Sequence, residues 1–352
     1  MPEAVGFFNP VASATRCNDK AGFSEAGGPL FRLGASQQGF GRRLGLLAVA
    51  LCLLWAATAD AASRTGSRAA ARPPKFLITE TAVVSDPAVR QELVRLGTAF
   101  AHTVTAKTLA RFGRKAGHRR VDLLAAPPRE YRDRVRADAL TRLRAAGFDT
   151  GQSQYFVYAD RNPAMQLLFL AYYDAPSGQV VLLGADFISS GKLRRGKDSF
   201  LTPVGVFENL PDNWGYRAEG TKNDKGWRGL GAKGSRVWDF GFQQAPREFR
   251  QGVYDSQMRL LMHATDPDHG EPRLGGPDSK GCVRISSAAN GFFDSRSILD
   301  RYYEQLAATE PKRMWLLRPD RTPVSHPGSY LVVGDSAIQS AARETDAPTT
   351  PQ

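Results

Sequence analysis

Residues 275–286, GGPDSKGCVRIS, set Cys282 between glycines and basic residues, and the other two cysteines, Cys17 and Cys52, lie far away near the N-terminus. A cysteine nucleophile needs a base within hydrogen-bond reach, access to solvent, and donors for the developing oxyanion. Gly281 allows close backbone approach, and the charges of Lys280 and Arg284 are expected to lower the thiol pKa. The base must come from five histidines. His102 falls in a predicted helix, His118 in a basic loop and His326 near the C-terminus. His263 ends the strand-like RLLMH and is preferred over His269 in the loop DPDHGEP. The segment HATDPDH holds His263, Asp266, Asp268 and His269, but a Pro- and Gly-containing loop without a third histidine is a poor zinc cage, so no metal and no cofactor are expected.

The elements that must carry these residues can be read from pattern. Ser85-Asp86-Pro87 is a helix start, followed by Val89, Leu93, Leu96, Phe100 and Val104 at helical spacing. Pro127-Pro128 opens a second helix carrying Tyr131, Val135 and Leu143 and closed by Gly147. From Tyr155 the pattern turns to short aromatic and β-branched runs: YFVYA, MQLLFLAYYD and QVVLLGADFI. The last two are joined by Ala-Pro-Ser-Gly and predict a hairpin. VGVF, SRVWDFGF and SQMRLLMH read as further strands, SILDRYYEQLAA as a helix and RMWLLR as a final strand. Tyr216, Trp227 and Trp238 are candidates for a cleft lining and equally for local core. The fold class expected is a mainly β domain preceded by a small helical segment, α+β overall.

The chain has 352 residues, 42% apolar, with 47 Lys+Arg against 35 Asp+Glu, a net charge of +12. That balance suits an anionic partner. The basic residues are scattered and not interleaved with aromatics, which argues against nucleic acid. Arg42 and Arg43, the apolar run Leu44–Ala57 and the exit Ala59-Asp60-Ala61 follow the order of a secretory signal, too short to span a bilayer. Cleavage after Ala61 or Ala62 would leave Cys282 as the sole thiol and no stable membrane span. The expected organisation is an extension plus signal over 1–62, a linker and helical segment of unassigned role over 63–150, a catalytic domain over 151–318, and a largely disordered tail over 319–352.

His263, a spacer, then Ser279-Lys280-Gly281-Cys282-Val283-Arg284 resembles the signature of the L,D-transpeptidase (YkuD-type) catalytic domain, a His followed by S-H-G-C and then Arg or Asn. Thr202-Pro203-Val204-Gly205-Val206-Phe207 resembles the same family's T-P-x-G-x-F turn. The resemblance spans roughly residues 155–318 and implies a YkuD-like β-sandwich or barrel. It departs at Lys280, where the family usually has His, and at Ala264, where Gly or Ser usually follows the first His. It further implies an exported periplasmic enzyme acting on peptidoglycan stem peptides. Cys282 would attack the diaminopimelate carbonyl and expel D-Ala, with His263 handling protons and oriented by a backbone carbonyl. Gly281 and Cys282 amides would hold the oxyanion, with Ser279, Lys280 and Arg284 meeting the substrate. The thioester would pass to an amine or to water. An L,D-carboxypeptidase or amidase and a non-catalytic wall-binding protein are the alternatives.

Overall fold

The computed structural model describes residues 72–113, 120–311 and 314–337. The signal-like segment, the extension before it and residues 338–352 lie outside them, as does most of the basic loop with His118. The described residues fall in one compact unit. Its centre is a mixed nine-stranded sheet in the order β4-β9-β1-β2-β3-β8-β7-β6-β5. The strands are β1 (Gln154–Asp160), β2 (Leu167–Asp174), β3 (Gln179–Ser189), β4 (Gly205–Glu208), β5 (Tyr216–Arg217), β6 (Arg236–Phe249), β7 (Gly252–Ala264), β8 (Val283–Ile285) and β9 (Tyr330–Gly334). With seven helices packed on or beside it, the fold is mainly β in an α+β arrangement. Among the described residues no helix is long and apolar enough to cross a membrane.

Residues 75–145 are integral to this unit. They form α1 (Lys75–Thr81), α2 (Pro87–Phe100), a π-helical turn (Ala101–Thr105), α3 (Ala106–Phe112), α4 (Arg120–Ala125) and α5 (Arg129–Ala145). Asp86 caps α2, its Oδ1 accepting from the amides of Ala88 and Val89, and Gly147 leaves α5 at φ +74°. Leu93, Leu96 and Phe100 of α2 share a core with Tyr155, Val157, Leu168, Leu170, Val181 and Leu183. Tyr131, Val135 and Leu143 of α5 share another with Phe156, Tyr158, Phe169, Ala171 and Leu182. Successive side chains of β1–β3 thus bury on opposite faces, which explains apolar runs without polar alternation. The boundary expected near residue 150 therefore separates no cores.

Two expectations are corrected. RMWLLR forms no strand: residues 314–318 turn, with Met314, Leu316 and Leu317 packed on Tyr303. The tail expected to be disordered supplies β9, an interior strand parallel to β1 and antiparallel to β4, so the folded unit runs past Arg318. Its short run YLVVG finds its ladder only through partners far away in sequence.

The site-bearing half is β3-β8-β7-β6-β5. β8 is only three residues long and bridges antiparallel β3 to parallel β7. After it come α6 (Ser287–Asp294) and α7 (Arg301–Thr309).

Candidate active site

Cys282 immediately precedes β8, and the parallel register sets His263 beside Arg284 and Met262 beside Val283. Side chains at paired positions share a face, so Leu261, His263, Cys282 and Arg284 lie on one side of the sheet. Val283 and Ile285, on the other side, are buried in the core. The structure thus brings His263 and Cys282 together on one face. His269 is exposed on a separate loop, its ring stacked on Trp227 at 5.5 Å.

The loop carrying the thiol is fixed by hydrogen bonds on both sides. Ser279 N–H donates to Ser190 O (2.9 Å), Lys192 N–H to Ser279 O (3.3 Å) and Phe200 N–H to Lys280 O (3.0 Å). Thr202 Oγ1 accepts from Gly191 N–H and donates to Gly281 O, both at 2.7 Å. Ser279 is buried; its Oγ accepts from Gly281 N–H (3.0 Å) and donates to Cys282 O (2.6 Å). Gly281 has φ +135°, and a Cβ there would lie 2.8 Å from the Met258 thioether. The backbone conformation favours glycine there.

These contacts reassign three expected substrate contacts. The hydroxyl of Ser279 is occupied twice within the loop, so it braces the backbone around Cys282. The Gly281 amide, expected as an oxyanion donor, is taken by Ser279. Lys280 is exposed, and the cation acting on the thiol is Arg284. Arg284 in turn donates through Nη1 to the backbone O of Asp278 (3.2 Å). The Asp278 carboxylate also meets Arg194 at 2.8 Å and Arg273 at 3.2 Å, so three guanidinium groups gather on one carboxylate in the loop that carries Cys282.

His263 is buried, and its Nδ1 lies 2.5 Å from the carbonyl of Ala264. A carbonyl can only accept, so Nδ1 carries the hydrogen and Nε2 keeps its lone pair. Burial, helped by the charge of Arg284 and opposed by the Ala264 hydrogen bond, lowers the imidazole from 6.5 to about 4. The ring is therefore neutral at pH 7 and able to accept a proton. Cys282 is half-buried, with Sγ over the β7 backbone 3.9 Å from Arg259 O. Although part of the residue meets solvent, burial is the largest influence on the sulfur and raises the thiol. Asp239 adds to that rise, while the Leu261 amide and Arg284 oppose it. Near pH 7 the imidazole is thus neutral, and burial favours the neutral thiol.

Three more polar residues surround the thiol. Asp239 of β6 pairs with Leu261, the β7 neighbour of Cys282, and Arg259 lies one row further out. Tyr216 of β5 pairs with Val237, which pairs with His263. Its hydroxyl is raised by burial and by the negative charges of Asp239 and Cys282. Tyr216 thus faces the site, whereas Trp238 is fully buried. Asp239 and Arg259 were not singled out by sequence; the one signal was Gly241 interrupting the alternation of WDFGF, a bulge mark. Asp266 is spent on the amides of Arg228, Asp268 and His269, and among the described residues no metal-binding group of His, Cys, Asp and Glu occurs. The grooves lined by Glu92, Arg296 and Ser325 and by Gln152, Arg301 and His326 share no residue with the site.

No protein-family model and no curated protein matches the chain.

Proposed function

We propose that this protein is an exported, periplasmic L,D-transpeptidase-like enzyme that acts on peptidoglycan stem peptides through a Cys282 thioester. The observation that carries the reading is the placement of Cys282 and the buried, Nδ1-anchored His263 on one face of β7–β8. The Thr202–Gly281 bond, which ties the two sequence motifs together, supports it. In the first half-reaction His263 Nε2 takes the thiol proton as sulfur attacks the diaminopimelate carbonyl. The tetrahedral intermediate collapses to the thioester as His263 returns that proton to the departing D-Ala amine. In the second, His263 deprotonates an incoming amine or water, which displaces the thiol. The charge excess at Arg194, Arg273 and Arg284 suits peptides rich in carboxylates.

Hydrolysis by the same route is the second reading, because one thioester serves both outcomes. The test is to incubate purified protein with disaccharide tetrapeptides and weigh the products. Cross-linked dimers mean transfer and tripeptides mean hydrolysis. Unchanged substrate would sink both and favour a wall-binding protein.

A further inference from the structure

The β6–β7 hairpin extends the site away from the thiol in ordered rows. Asp239 pairs with Leu261 and Phe242 with Arg259, so one extra residue is accommodated between them on β6. That bulge contains Gly241 at φ +75°, where a Cβ would lie 2.7 Å from the Asn213 amide. A bulge re-aims side chains. Here it keeps Asp239 and Phe242 both on the face of Arg259, instead of sending one to the core.

Arg259 is consequently held on two sides. Its Nε donates to Asp239 Oδ2 at 2.6 Å, and its guanidinium lies 5.1 Å from the Phe242 ring centroid. Asp239 Oδ1 is already committed to the Gly241 amide at 2.9 Å. The carboxylate therefore engages one edge of the guanidinium and leaves the Nη groups unengaged among the described residues. The Arg259 side chain remains 45% exposed while that of Asp239 is 2% exposed. Arg217 provides the contrast: both its Nη groups are closed on Asp294. A buried acid that fixes Nε while the Nη edge stays open makes a preorganised receptor for a planar anion.

We infer that Arg259 binds a carboxylate of the acyl-donor peptide, with Asp239 as the positioning residue that aims its guanidinium and Phe242 as the platform beneath it. The inference rests on the peptide substrate class proposed above. Arg259 contributes its own carbonyl to the surroundings of Sγ, so a peptide held at its fork runs along β7 toward the thiol. Tyr216 lies close enough for Asp239, Cys282 and Arg259 to act on its hydroxyl.

The test reads binding separately from turnover. Cys282 of the full-length protein is alkylated with iodoacetamide while a free-acid stem tetrapeptide, or the same peptide with its carboxylates amidated, is titrated in. Each protection constant is normalised to that variant's own unprotected rate. In wild type the free acid should protect at least about tenfold better than the amide. Arg259→Gln should remove that difference. Arg259→Lys should lose most of it, because an ammonium cannot reproduce the fork or the ring contact, and Asp239→Asn should fall between. Equal protection by the two peptides in wild type, or a wild-type constant for Arg259→Lys, overturns the inference. Product analysis runs in parallel. Carboxylate-dependent protection without turnover would refute the transpeptidase reading and leave the carboxylate site standing. Turnover with protection indifferent to Arg259 would do the reverse.

Discussion

Thr202 Oγ1 donates to the carbonyl of Gly281 at 2.7 Å while accepting from Gly191 N–H at the same distance. One buried hydroxyl thereby joins the start of the loop after β3, the turn before β4 and the residue preceding Cys282. Thr202→Val keeps the shape and removes both bonds, leaving a buried donor and a buried acceptor unpaired. Each such group costs on the order of 1–3 kcal/mol, so a loss of about 3 kcal/mol is expected in urea unfolding. Thr202→Ser should restore most of it. If Val is tolerated within experimental error, the hydroxyl does not brace the loop.

The turnover prediction separates base from bystander. His263→Ala and Cys282→Ala should each abolish product formation from tetrapeptides, whereas His269→Ala should retain it, because that ring stacks on Trp227 away from the site. Loss of turnover on His269→Ala with folding intact would transfer the base to His269.

The burial of His263 also sets a pH dependence of stability. Its folded pKa of about 4 lies below the ordinary 6.5, so between those values the unfolded chain binds a proton that the folded chain does not. Stability from this residue therefore rises with pH through that window and is lost toward pH 4, by about 3 kcal/mol at most. Asp186 works in the opposite direction: burial raises its carboxyl from 3.8 to about 6, so its contribution falls as pH rises. The measurement is thus a difference, the change in unfolding free energy from pH 4.5 to 6.5 in wild type minus that in His263→Gln. A difference near zero would mean that the imidazole is not buried neutral.

Much of this arrangement was legible in sequence where the signal was local. The capped start of α2, the β2–β3 hairpin and the Cys282 loop depend on neighbours within a few residues. What was hidden depends on contacts distant along the chain. β9 is a five-residue run whose partners lie more than a hundred residues upstream, and the Pro-, Ser- and Thr-rich stretch around it suggests disorder by composition alone. The helices of residues 75–145 are amphipathic in ways that do not reveal that the sheet needs covers on both faces. Within the site, Cys282 and His263 were readable because chemistry and spacing coincide. Asp239 and Arg259 meet diagonally across β6–β7, and Phe242 comes opposite Arg259 only through the bulge at Gly241, which shifts the register by one. Ser279 and Gly281 were expected at the substrate because the motif includes them; their hydrogen bonds turn inward instead.

The remaining prediction concerns which cation serves the thiol. Lys280 occupies the position where the resembling family usually has histidine, and sequence alone suggested that its charge favours thiolate. In the structure Lys280 is exposed, whereas Arg284 shares a face with Cys282 and lowers a thiol that burial holds above the ordinary 9.0. Lys280→His and Lys280→Glu should therefore leave the pH dependence of Cys282 alkylation close to wild type, with most turnover kept in Lys280→His. Arg284→Gln should move the midpoint upward, because a cation that favours the anion has been removed. Asp239→Asn should move it downward, since Asp239 opposes the thiolate. The readout is the rate of iodoacetamide modification from pH 6 to 11, with intact mass confirming a single adduct. An upward shift in Lys280→Glu as large as that in Arg284→Gln would restore Lys280 as the thiol's cation. A native protein that resists the reagent at every pH, while the unfolded protein reacts, would mean that the sulfur is closed to solvent, and the nucleophile assignment would fall with it.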